Sequence, residues 1–512
     1  MTNNAKNYYY AITIGPVVDT ILMSSKPLGL WFSSYIFSEF SRRICTSIAN
    51  DIKGEIILPH FDKNKHGKIF TAVGMFPDRI IFKSDKEYVA IKDAIDEVRS
   101  DFVSVVFTDS TLKDYFYFHL LQLNLSDGDS IIESFSGPLD SMELNRPFMA
   151  GQLVEKMKKL VTDNENVKKT TLFNNIYLSE LNLLRKETKE TYEIRDLGEI
   201  CKNFDEKKRF KSQKYYALIQ ADGDRVGELL KILSKGSGNL SYLEKGIKDF
   251  SNKIFEYASS LPVILKKYGG SLIYAGGDDL LALVPVYQKN GQSLLALCDE
   301  INAAFKKKLE VDSVSISFGI SIFYYKYPLY EAFKQVQYQL FGVAKDKKYK
   351  DCIALTVQKH SGQTMNLIIK NKTGQADNLV DKLYELISTG KIGSSTGSSS
   401  GEVSENNSIM YHLMNNKFFF IFAMKQAIQE KKPQIIKNAF NNYFDHVTQK
   451  EEGHIREKVN YVQTLVETLM EMANAFNTTM SEEEINKVVD DVFEKVINIL
   501  RYRKFLTEKG DD

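Results

Sequence analysis

The four cysteines of this chain, Cys45, Cys201, Cys298 and Cys352, lie far apart, and none stands in a C-x-x-C pair. That spacing excludes a zinc ribbon and a disulfide framework, and a reducing, cytoplasmic setting is expected. Tryptophan occurs once, at Trp31. Long hydrophobic runs are missing: the longest conspicuous one, Phe418 to Met424, falls far short of the roughly 20 apolar residues that span a bilayer. No membrane association is expected, and the polar stretch Met1 to Asn7 carries no signal peptide. An excess of one charge is also absent. Lys and Arg number 67 and Asp and Glu 66, which removes bulk electrostatics as a means of coating nucleic acid.

What is present is a globular composition, with 43% apolar, 26% charged and 12% aromatic residues. A chain of 512 residues at roughly 100–200 residues per domain makes about three or four domains. Residues 1–110 read as α+β. They hold a strand at Tyr8 to Ile14, a break at Gly15-Pro16, helix from Val17 to Ile48 interrupted near Pro27, strands at Lys68 to Gly74 and Arg79 to Phe82, and a helix at Ile91 to Phe102. In 111–205 the strand signal fades, and Met149 to Thr162 and Leu178 to Lys189 suggest a mainly helical insert.

In 206–370 the pattern sharpens. A strand at Tyr215 to Ala221 leads to helices at Val226 to Ser234 and Leu243 to Tyr268, then to a hairpin of Ser271 to Ala275 and Leu280 to Val284. Leu294, Leu297, Cys298, Ile301 and Phe305 mark a helix. It is followed by a strand at Val314 to Tyr324, a helix at Leu329 to Lys345 and a last strand near Ile353 to Val357. This order predicts a ferredoxin-like sheet with helices on one face. Residues 371–408 contain a Gly/Ser run that reads as a flexible linker, natural or engineered. Residues 409–512 show helical apolar periodicity at Val459, Val462, Leu465, Leu469 and Met472, and docking is the expected role.

Two acidic elements carry the chemistry. In Gly276-Gly277-Asp278-Asp279 two glycines permit a tight turn between apolar strands, and the adjacent carboxylates project where solvent and a divalent cation reach them. Asp222-Gly223-Asp224 ends an apolar strand earlier in the chain. On neighbouring strands, Asp222, Asp278 and Asp279 suit two metal ions about 3.5–4 Å apart, an arrangement that activates an attacking hydroxyl and stabilises a leaving phosphate. Either element alone is a common turn; their pairing beside apolar strands points to catalysis. Lys345 reads equally as a triphosphate contact and as a solvated helix-end lysine. Ser317-Phe318-Gly319 leaves room for a base or ribose, or simply for packing, and His360-Ser361-Gly362 is similarly open. Arg42-Arg43 and Lys207-Lys208-Arg209 read as solvated faces, and Trp31 beside Phe32 and Tyr35 as a packing anchor.

These motifs, with Thr13-Ile14-Gly15-Pro16, Leu30-Trp31-Phe32-Ser33-Ser34-Tyr35 and Ala217 to Gly227, resemble the polymerase-like large subunit of type III CRISPR effector complexes, in its type III-B (Cmr) form. The resemblance implies two ferredoxin-like palms, a helical insert and a helical C-terminal domain. The first palm is degenerate, with Gly74-Met75-Phe76-Pro77-Asp78-Arg79 where the second has its acidic hairpin. It further implies an RNA-activated nucleotidyltransferase that joins ATP into cyclic oligoadenylate with Mg2+ or Mn2+. Asp222 and Asp278 would bind the metals, Asp279 would assist, and Gly223, Asp224, Gly276, Gly277, Ser317 and Lys345 would border the nucleotide. Implied partners are other subunits of the ribonucleoprotein, guide RNA and target RNA.

No His-Asp dipeptide occurs among the seven histidines, so the family's nuclease domain is not expected, nor is structural zinc. The short layout also resembles a branch in which the same aspartates adenylylate S-adenosylmethionine. A cyclic dinucleotide cyclase is disfavoured by Asp279, where those enzymes have glutamate. A non-catalytic scaffold is disfavoured by the survival of all three aspartates.

Overall fold

The computed structural model describes residues 8–66, 73–107, 109–145, 147–174, 196–201, 210–234, 240–286, 292–311, 314–346, 349–372, 378–388, 409–448 and 454–508. The fold is α+β, with two sheets and a helical C-terminal region. The expected linker at 389–408, the helix at Leu178 to Lys189, most of the strand at Lys68 to Gly74 and the cluster Lys207-Lys208-Arg209 lie outside the described residues.

The first sheet comprises β1 (Tyr8–Gly15), β2 (Glu55–Leu58), β3 (Arg79–Ser84) and β4 (Tyr117–Leu123), in the order β2-β3-β1-β4 and antiparallel throughout. Strand β4 falls in the stretch expected to be mainly helical. Its sequence, YFHLLQL, is a short apolar run whose period does not separate helix from strand, and only its pairing with β1 from Gly15↔Tyr117 to Tyr9↔Leu123 decides. All of β1 is buried: the helix Pro27–Asn50 covers one face with rings, and Ile131, Phe135 and Leu139 share a core with Tyr9 and Ala11 on the other. Trp31 is fully buried and stacks on Tyr35 at 5.0 Å, and Phe40 stacks on Phe102 at 5.1 Å. Arg42 and Arg43 are not a solvated face. Glu39, three and four residues earlier on the helix, accepts from Arg42 Nε at 2.7 Å and from Arg43 Nε at 2.8 Å, and Arg42 is buried.

The second sheet comprises β5 (Tyr215–Asp224), β6 (Ser271–Gly276), β7 (Asp279–Pro285), β8 (Ser315–Tyr324), β9 (Cys352–Gln358) and β10 (Thr364–Lys370), in the order β10-β9-β8-β5-β7-β6. Strand β10 extends the sheet past the expected last strand, and His360-Ser361-Gly362 lies in the loop that leads into it. Its alternating burial follows Met365, Leu367 and Ile369. Ala217, Ile219, Ala221 and Ile320 face the helices Leu240–Tyr268 and Leu294–Leu309.

The opposite face is covered too. Tyr216, Leu218 and Phe323 share a core with Phe333, Val336 and the first domain's Trp31 and Ile36. A parallel β8–β9 pair requires a crossover, and the helix through Phe333 is that crossover, which puts helices on both faces instead of one. The last helix, Glu482–Thr507, closes back on β5, where Phe505 packs edge-on against Tyr215 at 4.9 Å. Among the described residues no helix is long and apolar enough to cross a membrane.

Candidate active site

Strand β5 lies in the middle of the sheet, paired with β7 through Ala221↔Leu280 and with β8 through Asp222↔Ser317. Its end therefore stands beside the β6–β7 turn. In that turn Gly276 pairs with Asp279, and Gly277 takes φ 71°. A positive φ at the first central position of a two-residue hairpin is the place for glycine. Asp278 is the second central residue, and its carboxylate lies against β5. A Cβ on Gly223 would come within 2.6 Å of Asp278 Oδ2, so Gly223 is small in order to admit that carboxylate. Around Gly276 and Gly277, by contrast, the space a Cβ would take is open.

The two hairpin carboxylates resist ionisation. Burial pushes Asp278 up to about 6, with backbone hydrogen bonds from Asp278 itself and Gly223 pulling the other way and Asp224 adding repulsion. Asp279 is raised further, by burial, then by Asp278 and by Asp78 from the first domain, and its Oδ1 is buried without a hydrogen-bond partner. The first domain touches the hairpin through its backbone. Gly74 bridges to Tyr274, and the Gly74 carbonyl accepts from the Ala275 amide at 3.0 Å. Gly74 to Arg79, expected at the hairpin of a degenerate palm, thus docks beside the acidic turn.

Lys345 is brought in by an irregular helix. After Leu329–Gln337 the crossover continues as a π-helix, Tyr338–Ala344, and the Lys345 amide bonds to Leu340 O at 2.8 Å, five residues back. The wider turn swings Lys345 over the end of β5, where its Nζ donates to the Gly223 carbonyl at 2.8 Å and pairs with the Asp222 carboxylate. Burial pulls the ammonium down to about 8, with Lys350 adding to the effect. The crossover sits this close because Gly319 has no side chain. A Cβ there would meet Leu340 N at 2.6 Å and Val336 O at 2.8 Å. Gly319 is therefore a packing residue, not an opening for a base.

Ser317 and Asp224 are turned to each other. Asp224 is buried, and its Oδ2 accepts from Ser317 Oγ at 2.7 Å, Ser315 Oγ at 2.8 Å and the Asp351 amide at 2.9 Å. They tie β5 to β8 and to the approach to β9, and nothing of Ser317 is exposed. Of the residues expected at the nucleotide, the structure gathers Asp222, Gly223, Gly276, Gly277, Asp278, Asp279 and Lys345 around one open turn. It sets Asp224 and Ser317 beneath it. Sequence reading passed over Arg225, which is exposed at φ 62° immediately before the helix Val226–Leu233. A left-handed non-glycine residue at the junction of strand and helix is uncommon, and the Asp-Gly-Asp-Arg order is the only trace of it.

Among the described residues no group of three or more His, Cys, Asp or Glu side chains is arranged to hold a metal, and Asp222 pairs with Lys345 instead. The donors nonetheless suit a hard divalent cation. Asp279 Oδ1 has no other partner, Asp278 carries a costly charge, and the Gly223 carbonyl already accepts from a cation.

Residues 215–354 match the family model for the Cas10/Cmr2 second palm domain, and residues 9–106 that for the N-terminal domain of the CRISPR-associated protein Cmr2. The CRISPR system Cmr subunit Cmr2 of Pyrococcus furiosus is 32% identical over 170 residues, covering 29% of this chain and 19% of the relative. The matched stretch thus spans about a fifth of that relative's length. Two solved structures share the fold at low identity. The type III-B Cmr-beta bound to cognate target RNA aligns at TM-score 0.53 and 12% identity, over 86% of this chain and 78% of its own. The Csm1-Csm4 cassette in complex with pppApA aligns at 0.52 and 11%, over 99% and 70%.

Proposed function

We propose that this Cas10/Cmr2-like chain, which carries a Cmr2-type N-terminal domain and a Cas10/Cmr2 second palm, is an RNA-activated nucleotidyltransferase that makes a cyclic oligoadenylate from ATP. The observation that carries the reading is the meeting of two acidic strand ends, Asp222 on β5 and Asp278-Asp279 on the β6–β7 turn, under the open backbone of Gly276 and Gly277.

Asp222, Asp278, Asp279 and the Gly223 carbonyl would hold Mg2+ or Mn2+, which when bound supplies charge neutralisation at the reacting phosphate. The chain's own residues do the rest. Lys345 passes from Asp222 to the triphosphate as a point charge. The first amides of the helix Val226–Leu233, which have no partner within the helix, face the phosphates beside Gly227, where the space a side chain would take is open. The hairpin glycines let the nucleotide lie on the backbone. The partners follow from the same reading: further subunits of a type III-B ribonucleoprotein, with guide and target RNA. They fit the likeness to a Cmr-beta assembly bound to target RNA.

The test is to assemble the chain with its guide-RNA partners and add cognate target RNA, Mg2+ or Mn2+ and α-labelled ATP, with and without S-adenosylmethionine. A labelled oligoadenylate that disappears in Asp278→Ala/Asp279→Ala is expected. A product formed only with S-adenosylmethionine would replace the acceptor while keeping the site. No product with either metal from a verified, target-bound complex would leave a non-catalytic subunit as the better account.

A further inference from the structure

The core beneath the acidic turn holds a hydroxyl that packing does not call for. Tyr257, on the helix Leu240–Tyr268, is fully buried, and its ring meets Phe305 edge-on at 5.0 Å. Its phenol oxygen has no hydrogen-bond partner among the described residues. A phenylalanine would fill the same space, whereas a buried donor left unpaired costs about 1–3 kcal/mol. The helix fixes where along the sheet the ring lies. It packs on β6, and after Gly269-Gly270 the chain turns back into that strand, so the two run in opposite directions. From Ser271 to Gly276 the strand covers about 16 Å, and from Tyr268 back to Tyr257 the helix covers about the same. Tyr257 therefore stands level with the hairpin turn. There it shares a core with Ala275, Leu280 and Ala221, which pair across three strands next to Gly276, Asp279 and Asp222. Two of the three are alanines, which leaves the phenol room to reach beneath the turn.

We propose that Tyr257 is a positioning residue of the acidic turn, its phenol O–H donating to the Asp278 carboxylate when that carboxylate holds a divalent cation. The inference rests on the function proposed above, which gives Asp278 that cation. Asp278, and not Asp279, is the acceptor. Leu280 faces the helices, and side chains alternate along a strand, so Asp279 points to the other face, where Asp78 lies near it. Asp278 occupies the turn itself. Burial, then Asp278 and then Asp279, raise the phenol's pKa well above its ordinary value, which fits a hydroxyl close to that carboxylate. In the metal-free chain the backbone amides of Asp278 and Gly223 serve Asp278. A carboxylate that gives one oxygen to a cation keeps the other for a donor, and a neutral donor anchored in the core fixes its orientation without bringing a competing charge.

The experiment titrates Mn2+ by calorimetry into the metal-stripped, nucleotide-free full chain. Tyr257→Phe keeps the ring and removes only the hydroxyl. Without metal it is expected to unfold at the same denaturant concentration as wild type or at a higher one, and it should bind Mn2+ about tenfold to a hundredfold more weakly. Added to Asp278→Ala, it should weaken Mn2+ binding no further, because the two act through one carboxylate. In the target-bound complex the Mg2+ needed for half-maximal product formation should rise by a similar factor, with KM for ATP within about twofold. A hydroxyl that only packs would leave both metal readouts where they are in wild type. The proposal is overturned if Tyr257→Phe, as stable as wild type, binds Mn2+ equally well. It is also overturned if the metal-stripped variant is less stable than wild type, since the hydroxyl then has a partner already. Wild type that binds no Mn2+, or binds it as well with Asp278→Ala, would remove the metal from the turn and the proposal with it.

Discussion

Lys345 Nζ donates to the backbone carbonyl of Gly223 at 2.8 Å while its charge rests on Asp222. On the function proposed above, the two oxygens are those a divalent cation would take, and the lysine would have to leave before the metal could enter. Lys345→Met is expected to strengthen Mn2+ binding to the nucleotide-free chain by about threefold to tenfold, read by calorimetry, and to raise KM for ATP. Lys345→Arg, whose planar fork does not replace a compact ammonium, should not restore the KM. Unchanged Mn2+ affinity in Lys345→Met would show that the lysine does not compete for those oxygens.

Gly319→Ala places a methyl group against the backbone at Leu340 and Val336. A cost of about 1–3 kcal/mol is expected in chemical unfolding. Because the displaced segment is the one that carries Lys345, product formation should fall by more than the lost fraction of folded protein explains.

Ser317→Ala removes one of three donors to the buried Asp224 carboxylate. It should cost about 1–3 kcal/mol of stability and leave KM for ATP within about twofold. A KM that rises while stability holds would return Ser317 to the nucleotide.

His66 predicts an acid-sensitive junction between the two domains. Burial, then His60, pulls the ring down to about 4, and its Nδ1 accepts from the Asp62 amide while its face lies 4.7 Å from Phe255 of the helix Leu240–Tyr268. The neutral ring is favoured in the folded state. Its contribution is therefore complete above the ordinary histidine value and is lost as pH falls from about 6.5 toward 4. About 1–2 kcal/mol should disappear over that window, after allowance for solvent screening. In His66→Gln the decline of melting temperature between those pH values should be shallower than in wild type.

The acidic hairpin and β5 were legible because each couples an apolar run of strand length to turn residues whose chemistry is local. The placing of Lys345 was not, since it depends on a π turn that Gly319 makes possible from another strand. Asp224 and Ser317 looked like nucleotide contacts because a polar residue near a motif carries no sign of which way it faces. Their pairing appears only when β8 lies beside β5. Arg42 misled for the same reason, as its partner Glu39 is visible at helical spacing but the burial of both is not. Strand β4 needed β1 beside it before its short run had a meaning.

The bridge between Gly74 and Tyr274 has one more effect. Strand β6 is the last in its sheet, and a bare last strand is a template on which foreign chains assemble. By setting the Gly74 backbone against that border at Tyr274 and Ala275, on the strand that leads into Asp278 and Asp279, the molecule keeps the margin of its acidic turn from being extended by a stranger.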